Sequence, residues 1–156
     1  MELSTGDNAP DFEMRDADGK LWRLADLKDR KTILYFYPAD STPGCTAQAC
    51  DFRDSSAELS EAGYRVLGVS PQGESSKRKF IDRYDLNFPL LIDEGLKVAD
   101  AYGATKQRMG ATGRKMGILR STFIISEDGT IERAMYGVNA RSHVTELLQL
   151  TTPANG

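Results

Sequence analysis

Cys45 and Cys50 are the only two cysteines in the chain, and their setting is one that makes a thiol reactive. The apolar run Ile33-Leu-Tyr-Phe-Tyr37 reads as a buried strand, and the stretch Pro38-Ala-Asp-Ser-Thr-Pro-Gly-Cys45 carries the chain from it into a helix. Thr42 suits the N-cap. Pro43 suits the first helical position, because its φ is already set and it has no N–H to leave unpaired. Cys45 is then the third helical residue, beside unpaired backbone N–H groups and the positive end of the helix dipole. A thiol placed there can fall from about 8.5 to roughly 3.5–7.5, which makes Cys45 a candidate thiolate nucleophile.

The spacing of the second cysteine adds a constraint. Five residues of helix give a rise of about 7.5 Å and a rotation of about 140°, hence a Cα–Cα separation of roughly 8.6 Å. A disulfide wants roughly 4.4–6.8 Å with the Cβ atoms facing each other. Either Cys45 and Cys50 never pair, or their pairing unwinds the helix.

The elements that must position these residues are legible from pattern. Asp11–Met14 and Lys20–Leu24 flank Asp18-Gly19 and read as a hairpin, with one helical turn expected near 25–28. A strand over Lys31–Tyr37 leads to the cysteine helix, which should end near Ala62 with Gly63 as its stop. A strand over Tyr64–Ser70, an exposed charged helix over Glu74–Tyr84, an extended piece at Phe88–Asp93 and a short helix over Gly95–Tyr102 follow. Residues 103–118 are glycine-rich and basic without clear periodicity, which reads as a mobile loop or a weak strand. Ser121–Ser126 and Thr130–Val138 form a hairpin through Glu127-Asp-Gly129, Arg141–Leu150 is a closing helix, and the last six residues are expected to fray. Strands alternating with helices imply an α/β protein, a mixed sheet with helices on its faces.

The motif Pro38-x-x-x-Thr42-x-x-Cys45 resembles the active-site signature of peroxiredoxins. The longer stretch Phe36–Asp54, with its second cysteine five positions after the first, resembles the bacterioferritin-comigratory, or peroxiredoxin Q, branch. Similarity extends through Gly6–Phe12, Val66–Ser70, Phe88–Asp93, Tyr102-Gly103 and Gly117–Ile125. The resemblance implies a thioredoxin-like fold, a central mixed sheet flanked by helices, with an added N-terminal β-hairpin. It also implies a peroxidase that needs no cofactor.

Roles follow from the same resemblance. Cys45 would be the peroxidatic cysteine that becomes a sulfenic acid, and Cys50 the resolving cysteine that closes an intramolecular disulfide. Thioredoxin or a similar dithiol would then reduce that disulfide. Thr42 would bond the peroxide, Pro38 and Pro43 would shape and shield the turn, and Arg120 would set its guanidinium against thiolate and peroxide. Two positions depart from the branch: Gln48 stands where it usually has Glu, and Lys77 where relatives often have His. His143 is the only histidine, is expected at the surface, and with two cysteines gives no zinc set.

The 156 residues read as one domain. Lys+Arg 20 against Asp+Glu 23 leaves a formal charge of −3, which gives no field favouring nucleic acid or an anionic membrane. No apolar run approaches a bilayer span, and the N-terminus lacks the pattern of a signal peptide, so a reducing cytoplasmic home is expected. The absence of an obvious apolar interface stripe favours a monomer. A thioredoxin-like disulfide oxidoreductase and a redox sensor or holdase are the competing functions. Four residues between the cysteines instead of two, and no Pro between Pro89 and Pro153, count against the first of these.

Overall fold

The computed structural model describes residues 2–110 and 113–151. It opens with the expected hairpin, β1 (Glu13–Asp16) paired antiparallel with β2 (Leu21–Arg23), and a single 3-10 turn at Leu24–Asp26. There follow β3 (Lys31–Phe36), α1 (Pro43–Glu61), β4 (Tyr64–Ser70), α2 (Glu74–Tyr84), β5 (Leu90–Ile92) and α3 (Lys97–Ala101). The chain closes with β6 (Thr105–Gly110), β7 (Gly113–Ile118), β8 (Ser121–Ile125), β9 (Ile131–Tyr136) and α4 (His143–Thr151). Seven strands form one mixed sheet in the order β2-β1-β5-β4-β3-β8-β9, with β3, β4 and β5 parallel and the remaining neighbours antiparallel.

β3 sits in the interior of that sheet, and its apolar run is explained by burial on both faces. Leu34 and Phe36 point into one core with Leu67, Val69, Tyr102 and Phe123. Ile33, Tyr35 and Tyr37 point into the other, where α1 contributes Cys45, Ala49, Phe52 and Leu59 and α4 contributes Val144 and Leu147. The stack of Tyr35 on Phe52, with ring centroids 4.5 Å apart, fastens α1 to the sheet just beyond the cysteine pair; such contacts contribute about 0.5–1.5 kcal/mol beyond area burial.

Three expectations change. Residues 105–110 and 113–118 form a paired antiparallel hairpin, β6 with β7, in the register Thr105↔Ile118. α4 continues through Thr151, which is buried and donates its hydroxyl to the Leu147 carbonyl, so fraying does not begin there. The remaining residues expected to fray, 152–156, lie outside the described residues. α2 is not an exposed charged helix throughout, because Lys77 and Phe80 on it are fully buried.

Candidate active site

α1 begins where the sequence requires. Thr42 is the N-cap with extended dihedrals, φ −78° and ψ 155°, Pro43 opens the helix, and the Thr46 N–H donates to the Thr42 carbonyl at 2.8 Å. Gly63, at φ +93°, takes the left-handed conformation that ends it. Cys45 is therefore in the first turn, and it is 2% exposed. The Thr42 side chain does not cap the helix, a correction to the expectation. Its hydroxyl donates instead to the Ala39 carbonyl at 2.9 Å, which leaves its lone pairs free to accept.

Sheet register brings in the arginine. β8 pairs antiparallel with β3 so that Ser121 faces Phe36, and Arg120, one residue earlier, lies beside the strand end from which the cysteine loop departs. Its guanidinium donates one N–H to the Cys45 Sγ at 3.3 Å and another to the Gln48 Oε1 at 2.6 Å. Cys45 and Cys50 are both free thiols on one unbroken helix, Cys45 buried and Cys50 half-buried. Pro38 accepts a hydrogen bond at its carbonyl from Gln72 at 3.2 Å.

One arginine N–H on a buried thiol at a helix start is the contact that the resemblance implied, and the second N–H, on Gln48, is one it did not. The sequence model of the AhpC/TSA family matches residues 5–134. The chain belongs to the AhpC/TSA family. Peroxiredoxin Bcp of Bacillus subtilis is 40% identical over 149 residues, covering 96% of this chain and 95% of that protein. Peroxidoxin BcpB of Mycobacterium tuberculosis superposes with a TM-score of 0.87 at 32% identity, covering 99% of this chain and all of that one. The bacterioferritin comigratory protein of Xanthomonas campestris, described for alkyl peroxide reduction, superposes at 0.84 with 29% identity over 90% of this chain and 89% of its own. The fold is thus that of the thioredoxin-like peroxiredoxins, and AhpC/TSA membership supports a thiol-dependent peroxidase activity.

Within this AhpC/TSA site, two residues are placed otherwise than the sequence suggested. His143 is not at the surface: it is 1% exposed at the start of α4, with neither ring nitrogen hydrogen-bonded. The signal was present in the helical spacing His143, Val144, Leu147, Thr151, all buried. Burial, with the Arg120 charge adding to it, pushes the imidazole down from its ordinary 6.5 to about 4. Lys77 is buried against Asp40, and the clue was Phe80 three residues on.

The His143 shift has a consequence for stability. The unfolded chain takes up this proton near pH 6.5 and the folded one only near pH 4, so the unfolded state binds more protons in between. Stability should therefore be lost as pH falls from about 6.5 to about 4. Denaturant unfolding at a series of pH values checks this. His143→Leu, which replaces an unpartnered polar group by an apolar one, should flatten the decline; the same slope in both proteins would place its cause elsewhere.

Proposed function

We propose that the protein reduces hydrogen peroxide and organic hydroperoxides through Cys45, with Cys50 resolving the oxidised sulfur. The observation that carries the reading is the Arg120 fork, which reaches Cys45 and Gln48 together. At an effective dielectric of about 20, unit charges about 4 Å apart attract by about 4 kcal/mol, whereas a neutral hydrogen bond contributes about 1 kcal/mol. The guanidinium N–H that reaches the Cys45 Sγ at 3.3 Å is therefore placed to stabilise negative charge that develops at the reacting sulfur and oxygen. Gln48, being a neutral amide, withdraws none of that charge as a carboxylate would.

In the reaction the thiolate sulfur attacks the nearer peroxide oxygen. An S–O bond forms as the O–O bond breaks, and the departing oxygen leaves as alkoxide or hydroxide and takes a proton to become alcohol or water. Sulfur is oxidised by two electrons to a sulfenic acid. Arg120 stabilises the negative charge that spreads along the breaking bond. Thr42, its own proton committed to Ala39, accepts the hydrogen of the incoming hydroperoxide. Pro38 and Pro43 shape and shield the turn. Cys50 then attacks the sulfenic sulfur, water leaves, and a disulfide forms once the first turns of α1 unwind. A thioredoxin-type dithiol accepts the disulfide and restores both thiols.

A reducing, cytoplasmic compartment suits two free cysteines. No described helix is long and apolar enough to cross a membrane. Among the described residues, the large exposed apolar side chains are Met116 on β7 and Leu150 on α4, too few for an apolar interface stripe, which favours a monomer.

Stopped-flow mixing with hydrogen peroxide and an alkyl hydroperoxide tests the proposal. The protein should react orders of magnitude faster than a free thiol and turn over repeatedly with a dithiol. A thioredoxin-like oxidoreductase would fail the first requirement and a sensor the second. Arg120→Lys keeps the charge and loses the fork, so the peroxide step should slow by roughly tenfold to a hundredfold. Wild-type kinetics in that variant would remove Arg120 from the chemistry.

A further inference from the structure

We propose that Lys77 is a positioning residue for the peroxide step: buried against Asp40, it fixes the Pro38–Thr42 loop in the conformation that presents Thr42 to Cys45. The inference rests on the peroxidase reading above and concerns how its loop is held.

The loop needs holding. Ser41, immediately before Thr42, sits at φ +62°, a left-handed conformation that a residue with a Cβ adopts only when its surroundings insist. Asp40 supplies the hold. Its side chain is 1% exposed, and it accepts the Tyr37 hydroxyl at 2.6 Å and the Ser76 hydroxyl at 2.7 Å. The Lys77 ammonium, fully buried, lies 3.3 Å from the same carboxylate and donates to the Ser70 hydroxyl at 2.5 Å. Gln72 closes the loop from the other side, its amide N–H donating to the Pro38 carbonyl and its oxygen accepting the Asp40 N–H, both at 3.2 Å.

Two features separate this network from ordinary packing. A buried ion pair contributes little net stability relative to an apolar pair of equal volume, whereas charged hydrogen bonds are directional and about twice as strong as neutral ones. What Lys77 supplies is therefore orientation of the carboxylate and, through it, of the loop. The anchors also lie at the end of β3, on β4, on α2 and in the connection between the last two; none belongs to α1. Unwinding at Cys45–Cys50 leaves the network in place, so the loop is set for the next peroxide as soon as α1 re-forms.

The test separates the two chemical steps. Lys77→Met should slow peroxide consumption in a single turnover by roughly tenfold to a hundredfold, while the later formation of the Cys45–Cys50 disulfide keeps its rate. Because the single variant leaves a buried carboxylate unpaired and can fold poorly, the double variant Asp40→Asn/Lys77→Met is measured beside it. Removing both charges should recover the melting temperature but not the peroxide rate. A purely structural pair would recover both, and that result overturns the proposal, as does a wild-type peroxide rate in either variant. A wild-type protein no faster than a free thiol would instead remove the peroxidase reading itself.

Discussion

Replacing Cys45 by serine is expected to reduce peroxide consumption by at least about three orders of magnitude, with the fold retained. Serine is nearly isosteric, and its hydroxyl would occupy the position 3.3 Å from the Arg120 guanidinium that the thiol now holds. What it lacks is a readily formed anion, since the thiolate and not the thiol is the attacking species. Arg120, Gln48 and Thr42 would all remain, so the variant isolates the nucleophile from the groups that serve it. The measurement is single-turnover peroxide consumption, with circular dichroism to confirm the fold. Cys50 is the internal control: it stays free and half-buried in the variant. Undiminished activity would transfer the role of attacker to it and leave the buried thiol without a function.

What could be read in advance, and what could not, follows from how local each signal is. Thr42-Pro43 declares a helix start by itself, and with Ile33–Tyr37 before it the placement of Cys45 in the first turn needs nothing distant. The ends of α1 and the strand–helix alternation are local in the same sense. Arg120 is 75 residues from Cys45 in sequence, and only the family pattern linked them; the physical link is the β3–β8 register, which no window of sequence contains. The hairpin of β6 and β7 was obscured because its glycine-rich, basic sequence carries no alternation of apolar residues, although Ile118 at the end of β7 reaches the core. The two polar residues placed wrongly share one cause. Lys77 and His143 were judged by residue type, which predicts exposure, although each lies on the inward stripe of its helix. For Lys77 the compensating partner, Asp40, lies 37 residues away. For Thr42 the position was right and the hydrogen bond was not, since the Ala39 carbonyl competes successfully for its hydroxyl.

Replacing Cys50 by serine should separate oxidation from recycling. The first reaction with peroxide requires only Cys45 and its neighbours, so one equivalent should be consumed at close to the normal rate. The sulfenic acid then has no partner. Turnover with a thioredoxin-type dithiol should fall by about a hundredfold or more, and excess peroxide should carry Cys45 on to the sulfinic acid, visible by mass spectrometry as a second added oxygen. The same variant probes the helix. Both cysteines lie within the 19 residues of α1, and a helical separation of roughly 8.6 Å is too long for the roughly 4.4–6.8 Å that a disulfide spans. The proposed Cys45–Cys50 disulfide would therefore remove helical backbone hydrogen bonds around residues 45–50, and far-ultraviolet circular dichroism should register the loss on oxidation of the natural sequence. In Cys50→Ser no cross-link pulls on the turn, so peroxide should oxidise the protein with its helical signal unchanged. An equal loss of helix in both proteins would mean that the sulfenic acid alone opens α1, and unimpaired recycling would mean that the reductant attacks Cys45 directly.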